Sequence, residues 1–503
     1  MYKNPIIPGF NPDPSICRVG NDFYIVNSSF EFFPGVPIYH SRNLGNWNLI
    51  GYCLTRRSQN ELINARASGG IYAPTIRFYN GIYYMTTTNV SHGGNFIVHA
   101  KDPSGPWSEP VWIDQGGIDP SLFFDEDGTV YFCSNATVEG KIGIALSIID
   151  PLTGERLSPI THICSGSGGR YPEGPHLYKI NEWYYLMIAE GGTEYGHMET
   201  IFRSKSPWGP YEGCPQNPIL SHRDYTNSPI QCTGHADMVE DQNGNWWLVC
   251  LGVRPLKGML HNLGRETFLA PVTWTSDGWP VIGKDGCIEM EMNGPTLEDI
   301  SPIINSWQDD FEGDTLDLNW NFIRNPNIEN YDLTSRESSI IIKGSSKTLS
   351  EDKNSPSFIG RRQQHFNCTA EVNMSFETGE QDFEVGITAY YNDSYHYEEF
   401  LTKIDGQYYV CLRKKVHDME VITEKKKINF KENILLRIRC NRDYYYFDYK
   451  LPEEDWKLLG KGMTAGLCTE GTHTMTFTGT FLGIYSVNGN AIFDWFKYDG
   501  DNN

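Results

Sequence analysis

The sequence has no long uninterrupted run of apolar residues. No stretch approaches the ~20 consecutive apolar residues of a transmembrane helix, and the first residues, Met1 to Pro5, carry no apolar segment or cleavage signal. Helical periodicity is scarce along the whole chain. We therefore expect neither a membrane-spanning protein, nor a membrane partner, nor export through a signal peptide.

Basic residues are fewer than acidic ones. The 41 Lys and Arg residues stand against 63 Asp and Glu residues, so the net charge is −22 and the pI is near 5.0. Nucleic acids and anionic membrane surfaces bind basic patches, so neither is an expected partner. An enzyme that acts on a neutral substrate is compatible with this negative net charge. The aromatic content of 13% suits sugar binding, because flat rings stack on the apolar faces of sugars.

Closely spaced cysteine pairs are also absent. Twelve cysteines are scattered between Cys17 and Cys468 without a Cys-x-x-Cys motif. Without a secretion signal, this pattern favours free, buried thiols in a reducing compartment over a disulfide framework. We therefore expect a cytoplasmic protein, and a homo-oligomer is compatible with the sequence.

What the chain does contain is a large number of short β-strand patterns. Runs rich in Tyr, Phe, Ile, Val and Thr are broken by Asn-Gly, Asp-Gly and Pro, which predicts an all-β protein. A chain of 503 residues is too long for one ordinary core, so two or three domains are expected.

An internal repeat organises the first part of the chain. An aromatic strand follows a turn at 21–24, 80–84, 127–131, 181–185 and 243–247. A motif with Asp, Pro or His precedes each strand, at 11–14, 73–75, 119–121, 173–176 and 234–237. The period of roughly 50 to 60 residues is typical of propeller blades. We predict a five-bladed β-propeller over residues 1–304, in which equivalent positions converge on one axial funnel.

The repeat stops near residue 305. Alternating strand patterns follow at 339–342, 384–391 and 408–412, without the blade signature. Roughly 200 residues of short strands fit one sandwich domain. We predict a C-terminal β-sandwich of the concanavalin or jelly-roll type over residues 305–503.

Three acidic residues are flanked by proline or glycine at the starts of blades. They are Asp13 between two prolines, Asp119 before a proline, and Glu173 between Pro172 and a glycine. Proline fixes its own φ and pushes the preceding residue to extended geometry, which predicts a rigid, extended Asp13. Paired carboxylates are the machinery of glycoside hydrolysis. Asp13 then suits a fixed base, Glu173 an adjustable proton donor, and Asp119 a third charge that raises a neighbour's pKa.

Each acid also has a simpler interpretation, because Asp13 and Asp119 could cap turns and Glu173 could be an exposed loop residue. His235 occupies the equivalent position in the fifth repeat, where it could hold a water or a hydrated cation. Arg265 could orient an acid or bind sugar hydroxyls, or instead simply form an ion pair with Glu266 or another acid. Further candidates for sugar contacts, with core packing as the alternative for the aromatic ones, are Phe30, Phe33, Tyr72 and Thr193.

Several of these segments together resemble glycoside hydrolase family 43, and most closely its two-domain β-xylosidases and α-L-arabinofuranosidases. The resemblance extends over essentially the whole chain and rests on residues 9–15, 29–36, 118–122, 173–178 and 234–237. It implies the propeller-plus-sandwich fold and hydrolysis with inversion. By this resemblance Asp13 is the general base, Glu173 is the general acid, and Asp119 tunes and orients that acid.

The resemblance also implies a sugar subsite. Arg265 and His235 match positions around it, and Phe30, Tyr72 and Thr193 match less specific ones. Relatives close to the xylosidases often have Trp at the position of Tyr72, and the loop 196–199 also differs from a strict xylosidase. In related enzymes a sandwich loop helps to close the pocket, which makes Phe481 a candidate. No cofactor is required, but many relatives carry Ca²⁺ on the axis near the histidine.

We therefore expect an exo-acting enzyme that takes short xylo- or arabino-oligosaccharides. One alternative is a non-catalytic carbohydrate-binding propeller, which the loss of any of the three acids would favour, and all three are present. Another is a fructan-type glycosidase of similar architecture. Those enzymes use a retaining mechanism and an Asn-Asp-Pro-Asn-Gly nucleophile motif, whereas this chain has Asn-Pro-Asp-Pro at 11–14.

Overall fold

A computed structural model describes residues 1–294, 305–376 and 382–501. These residues form β-strands and three short 3-10 turns, Ile328–Asn330, Thr464–Leu467 and Thr469–Gly471, and they contain no α-helix. In the same part of the chain, no helix is long and apolar enough to cross a membrane. The all-β prediction is confirmed.

The first part of the chain folds into five four-stranded antiparallel sheets, the blades of a propeller. Blade 1 consists of Ser15–Val19, Asp22–Val26, Gly35–Ser41 and Asn48–Leu54, and blade 2 of Thr75–Tyr79, Ile82–Asn89, Gly94–Ala100 and Val111–Trp112. Blade 3 consists of Ile118–Phe124, Val130–Val138, Lys141–Ile148 and Thr161–Cys164, and blade 4 of Glu173–Ile180, Trp183–Glu190, Met198–Ser204 and Glu212–Gly213. Blade 5 consists of Gln231–Glu240, Trp246–Val253, Glu266–Trp274 and Pro280–Ile282.

Local sequence explains the repeated aromatic strand. In blade 2 the turn between the first two strands is Asn80-Gly81, and both residues have positive φ, 49° and 78°. This is the pattern of a type I′ hairpin, whose twist matches that of the flanking strands and which Asn-Gly adopts readily. The aromatic side chains that follow then pack between neighbouring blades: the rings of Tyr24 and Tyr83 lie 5.3 Å apart, edge to face.

A buried polar cluster on the propeller axis joins all five blades. The carboxylate of Asp237 in blade 5 is fully buried and binds the Arg77 guanidinium of blade 2 at 2.8 and 3.2 Å. It also accepts a hydrogen bond from the Ser15 hydroxyl of blade 1 at 2.7 Å. His176 of blade 4 lies 3.0 Å from Arg77 and 3.3 Å from the Ser121 hydroxyl of blade 3. We call these five residues the axial cluster.

The start of the chain closes the ring against blade 5. Tyr2–Lys3 pairs with Glu291–Met292. The Asn4 side chain exchanges two hydrogen bonds with the backbone of Leu269, at 3.0 and 2.9 Å. Because the side chain is buried, these bonds satisfy its amide group and fix the first segment beside the last blade.

The C-terminal part is a sandwich of two antiparallel sheets. One sheet contains Tyr331–Asp332, Ile340–Lys343, Asn490–Asp501, Asn367–Phe376, Ile434–Cys440, Tyr444–Lys450 and Lys457–Met463, with Ser306–Asp309 paired to Asn490–Asp501. The other contains Ser357–Arg362, Phe481–Val487, Glu384–Asn392, Tyr395–Ile404, Gln407–Val416 and Met419–Ile428. The boundary predicted between residues 304 and 305 adjoins residues 295–304, which lie outside the described residues, so it stays a prediction.

The sandwich packs directly on the propeller. Phe32–Phe33 of the propeller pairs with Phe322–Ile323, and the rings of Phe32 and Phe481 stack at 4.1 Å. All twelve cysteines are free, and all except Cys287 are buried. The expected free thiols are therefore confirmed.

Candidate active site

Backbone distortions at the starts of the inner strands turn side chains into one funnel. Asp13, Asp119 and His235 have positive φ angles of 53°, 54° and 51°, and Gly174, which follows Glu173, has 58°. The register shifts at the start of the inner strand in blades 3, 4 and 5, as β-bulges do where a side chain is re-aimed. Non-glycine residues in this region are strained and must be held by their surroundings.

This backbone corrects one prediction. The flanking prolines led us to expect an extended Asp13, but its φ of 53° is left-handed. Tertiary contacts override the local preference, because the buried Asp13 carboxylate binds Arg265 and accepts a 2.5 Å hydrogen bond from Ser28. The residue is held rigidly, as predicted, but in a different conformation.

The funnel ends in a cavity of about 330 Å³. Eight of the nine residues proposed for catalysis or sugar contact line it, all except Phe33: Asp13, Phe30, Tyr72, Asp119, Glu173, Thr193, His235 and Arg265. They come from blades 1, 3, 4 and 5 and from the loops between blades. The cavity therefore brings together residues that are as much as 252 positions apart in the chain.

The guanidinium of Arg265 organises the base of the cavity. It binds both carboxylate oxygens of Asp13, at 2.8 and 3.2 Å, and donates to the Thr193 hydroxyl at 3.2 Å. The alternative pairing with Glu266 is wrong, because Glu266 binds Arg254 through two contacts of 2.7 Å. Such two-point contacts between a guanidinium and a carboxylate fix geometry as well as charge.

The environment drives the pKa values of the three carboxyl groups apart. Burial by itself would raise the pKa of Asp13, but Arg265 and His235 bring it below its ordinary value. Burial and the Asp13 charge raise the pKa of Glu173 to about 7. Burial, Glu173 and Asp13 raise the pKa of Asp119 well above its ordinary range. An ionised carboxylate thus lies in the same cavity as a carboxyl group that holds its proton near neutral pH, which is the arrangement that acid–base catalysis requires.

Aromatic rings form one wall of the cavity. Phe30 lies 5.3 Å from Tyr72 and 5.6 Å from Phe477, measured between ring centroids. The Arg265 guanidinium lies 5.6 Å from the Phe30 ring and 5.3 Å from the Phe477 ring. These contacts place the cation beside two aromatic rings, where cation–π attraction adds to its ion pair.

The closing residue of the sandwich is Phe477, and the expectation for Phe481 is wrong. Phe481 is fully buried against Phe32, whereas Phe477 lines the cavity together with Met475. The Phe477 amide donates to Ser68 at 2.9 Å, which ties this loop to the propeller. Phe33 is likewise buried in the core and does not line the cavity.

The rim contains residues that the sequence did not single out. Arg170, Tyr171 and Glu194 line the mouth of the cavity, and Arg170 pairs with Glu194 at 3.1 Å. The only sequence feature that pointed to any of these rim residues is that Tyr171 lies two positions before Glu173. Polar and aromatic residues in loops are too common for that signal to be specific.

His235 does not belong to a recognisable cation site. Burial lowers its pKa, and its Nδ1 lies 3.8 Å from Asp13. Ca²⁺ takes about six to eight oxygen ligands, but the described residues contain no group of three His, Cys, Asp or Glu side chains placed to hold a metal ion. Asp237, the nearby axial carboxylate, is already neutralised by Arg77. A directly coordinated Ca²⁺ does not fit these residues, and a water-mediated ion at His235 stays a prediction.

Two family models match the chain. Glycosyl hydrolases family 43 matches residues 2–280, and the beta xylosidase C-terminal concanavalin A-like domain matches residues 308–499. The chain belongs to glycosyl hydrolase family 43. The predicted resemblance and the propeller-plus-sandwich architecture are therefore confirmed, and the protein is a glycoside hydrolase.

Similar family 43 proteins align over nearly the whole chain. A non-reducing end alpha-L-arabinofuranosidase of Bacteroides ovatus, BoGH43B, is 44% identical over 99% of this chain and 94% of its own length. A xylosidase/arabinosidase of Butyrivibrio fibrisolvens is 42% identical over 80% of both chains. The crystal structure of a xylan beta-1,4-xylosidase from Bacillus halodurans matches with a TM-score of 0.93 at 33% identity, covering 99% of this chain and 100% of the other.

Proposed function

We propose that this family 43 enzyme releases terminal xylose, terminal α-L-arabinofuranose, or both from short oligosaccharides, with inversion at the anomeric carbon. The observation that carries the proposal is the cavity in which Asp13 and Glu173 have opposite pKa shifts. The names of the relatives support both sugars, since they include an arabinofuranosidase and a xylosidase.

The shape of the cavity supports exo action. Phe477 and Met475 of the sandwich close one side of a cavity of about 330 Å³ whose floor is formed by the propeller. A short, partly closed pocket accepts the end of a chain, whereas an internal sugar needs a groove that is open at both ends. The proposed substrates are accordingly short oligosaccharides with a free terminal sugar.

The proposed roles follow from the protonation states. Ionised Asp13 takes a proton from a water molecule as the water oxygen attacks the anomeric carbon. Glu173, whose raised pKa of about 7 lets it keep a proton up to that pH, gives its proton to the glycosidic oxygen as the bond to the leaving sugar breaks. Arg265 holds Asp13 in place and keeps it ionised. Asp119 would orient Glu173 and tune its proton affinity.

Assays on aryl β-D-xylopyranoside and aryl α-L-arabinofuranoside test this function. We expect the wild type to cleave at least one, and Asp13→Ala to reduce kcat by about 10²–10⁴-fold. Glu173→Ala should lose less on an aryl glycoside than on an oligosaccharide, because a good leaving group needs little protonation. A suitable control is Glu182→Ala, since this glutamate is exposed on blade 4 and lies away from the cavity.

Two results would contradict the proposal. Absence of activity on both glycosides would contradict the proposed substrates, and full activity of Asp13→Ala would contradict the role of Asp13 as the base. Proton NMR of the first-formed sugar would test the stereochemistry, because a product that keeps the anomeric configuration of the substrate means a retaining mechanism of the fructan-enzyme kind.

We also propose a cytoplasmic location. The support is the set of twelve free thiols, since cysteines of exported proteins are usually paired in disulfides. Cell fractionation of the native host tests this, and recovery of the protein only outside the cytoplasm would contradict it.

A further inference from the structure

Tyr171 is an aromatic side chain that the fold leaves exposed to solvent. It lines the mouth of the cavity yet is 62% exposed, whereas Phe30 in the aromatic wall of the cavity is 2% exposed. Tyrosine rings bury substantial apolar area when they find a partner. An aromatic ring left open at the mouth of a sugar pocket is therefore available to a ligand.

The backbone around Tyr171 is strained and fixed. Its φ is 53°, a conformation that costs a non-glycine residue free energy and persists only where neighbours impose it. Here the Gly191 amide donates to the Arg170 carbonyl at 2.7 Å, and the Asn135 side chain donates to the Pro172 carbonyl. Both flanking residues are anchored, so the exposed ring has a defined position.

The surroundings support the ring from one side. A Cβ built on Gly192 would lie 3.2 Å from the Tyr171 ring, so the absence of a side chain there allows the close approach. The guanidinium of Arg170 lies 5.6 Å from the ring centroid and is itself paired with Glu194. These neighbours restrain the ring while most of its surface stays open.

Tyr171 is also the aromatic residue of the cavity lining that is nearest in sequence to the proposed acid. It is two residues before Glu173, the proposed acid, and Asp13, the proposed base, lies at the floor with Arg265. The acid protonates the glycosidic oxygen, so the leaving sugar extends from the pocket past the acid, on the face opposite the water. We place Tyr171 on this path because it lines the cavity next to the strand that begins with Glu173.

We propose that Tyr171 is the stacking platform for the leaving-group sugar, and that it sets the preference of the enzyme for oligosaccharides over glycosides with small aglycones. This inference rests on the proposed function and adds to it a second sugar-binding position. The ligand there is a pyranose or furanose ring with an apolar face, joined to the terminal sugar by the scissile bond.

The test compares two substrates that share the terminal sugar. They are the disaccharide and the methyl glycoside of whichever sugar the wild type removes, and kcat/KM is measured for both. We expect Tyr171→Ala to lower the ratio of the disaccharide value to the methyl glycoside value about tenfold, the size of one aromatic contact. Tyr171→Phe should keep the ratio, because stacking needs the ring and not the hydroxyl.

Free xylose or arabinose provides a second measurement, since a monosaccharide occupies only the terminal-sugar position. Its inhibition constant should change far less than the disaccharide KM in Tyr171→Ala. The matched control is Tyr225→Ala, which removes a tyrosine that is 55% exposed and does not line the catalytic cavity. The ratio should stay at the wild-type value in that variant.

Three outcomes would overturn the inference. If Tyr171→Ala is active and its ratio of kcat/KM values for the two substrates is unchanged, Tyr171 does not bind the leaving sugar, and the proposed function stands. An equal loss on both substrates means that the substitution displaces Glu173 and that the ring does not bind the leaving sugar. A wild type that cleaves neither glycoside refutes the proposed function, and the platform with it.

Discussion

At the scale of single residues, Asp13 and Glu173 show how position decides chemistry. Both are carboxyl groups in the same cavity, but the pKa of Asp13 is held down by Arg265 and His235. The pKa of Glu173 is raised to about 7 by burial and by the Asp13 charge itself. The charge that makes one group a base thus helps its partner to stay an acid.

The pH dependence of kcat/KM follows from these shifts. The active form needs ionised Asp13, which is lost at acidic pH below the ordinary aspartate pKa. It also needs protonated Glu173, which is lost as the pH rises through about 7. We therefore expect a bell-shaped profile for an oligosaccharide, with the alkaline limb near neutral pH. Initial rates across the pH range check this.

A dinitrophenyl glycoside serves as the control for that assignment. Its leaving group departs without a proton, so the alkaline limb due to Glu173 should disappear while the acidic limb remains. An alkaline limb that is identical for both substrates would mean that another group is responsible.

At the scale of elements, the loop that contains Met475 and Phe477 joins the sandwich to the catalytic chemistry. Phe477 contacts the propeller through Ser68 and lies against the Arg265 guanidinium. Only four residues later, Phe481 begins a strand and is buried in the core. Two phenylalanines in one short segment therefore have separate roles, one in the pocket and one in packing.

Substitution of the two phenylalanines should separate these roles. Phe477→Ala should lower kcat/KM about tenfold, since it removes a ring worth about 1 kcal/mol or more against the guanidinium, with little change in Tm. Phe481→Ala should instead cost about 3–5 kcal/mol of unfolding free energy, as for other buried aromatic side chains. Kinetics and thermal unfolding of both variants check this, and a reversed pattern would contradict the assignment of the closing residue.

At the scale of the whole molecule, the axial cluster adds polar contacts among all five blades to the hydrophobic packing between neighbouring blades. Asp237 is fully buried and binds Arg77, and Ser15 and His176 extend the contacts to two further blades. Buried ionic groups are costly to place in a fold, but removal of one partner leaves the other uncompensated. The cluster lies beneath the catalytic funnel, so its integrity also positions the strands that carry the three acids.

Loss of one member of this cluster should destabilise the propeller strongly. We expect Arg77→Ala to lower the free energy of unfolding by about 3–5 kcal/mol, because Asp237 then remains buried without its partner. Arg42→Ala provides the comparison, since the Arg42 side chain is exposed and exposed ion pairs contribute little to stability. Denaturant unfolding measures both, and equal losses would show that burial of the axial pair has no special effect.

Much of the architecture could be predicted because its signals are local. Turns such as Asn80-Gly81 and the aromatic strands after them depend on neighbouring residues only, so five repeats and a change of pattern near residue 305 were visible in the sequence. The acids Asp13, Asp119 and Glu173 could be predicted as well, because the proline and glycine residues that flank them are neighbours in the sequence. Their convergence followed from equivalent positions in the repeat.

The rest was decided by contacts between distant segments. The partner of Arg265 is 252 residues away, the left-handed backbone of Asp13 is imposed by its carboxylate contacts, and the choice of Phe477 over Phe481 depends on how the sandwich meets the propeller. Local sequence thus determined the blades and the acids that begin them. Tertiary structure alone determined what surrounds those acids, because burial and neighbouring charge set their pKa values and both arise only when distant segments of the chain pack together.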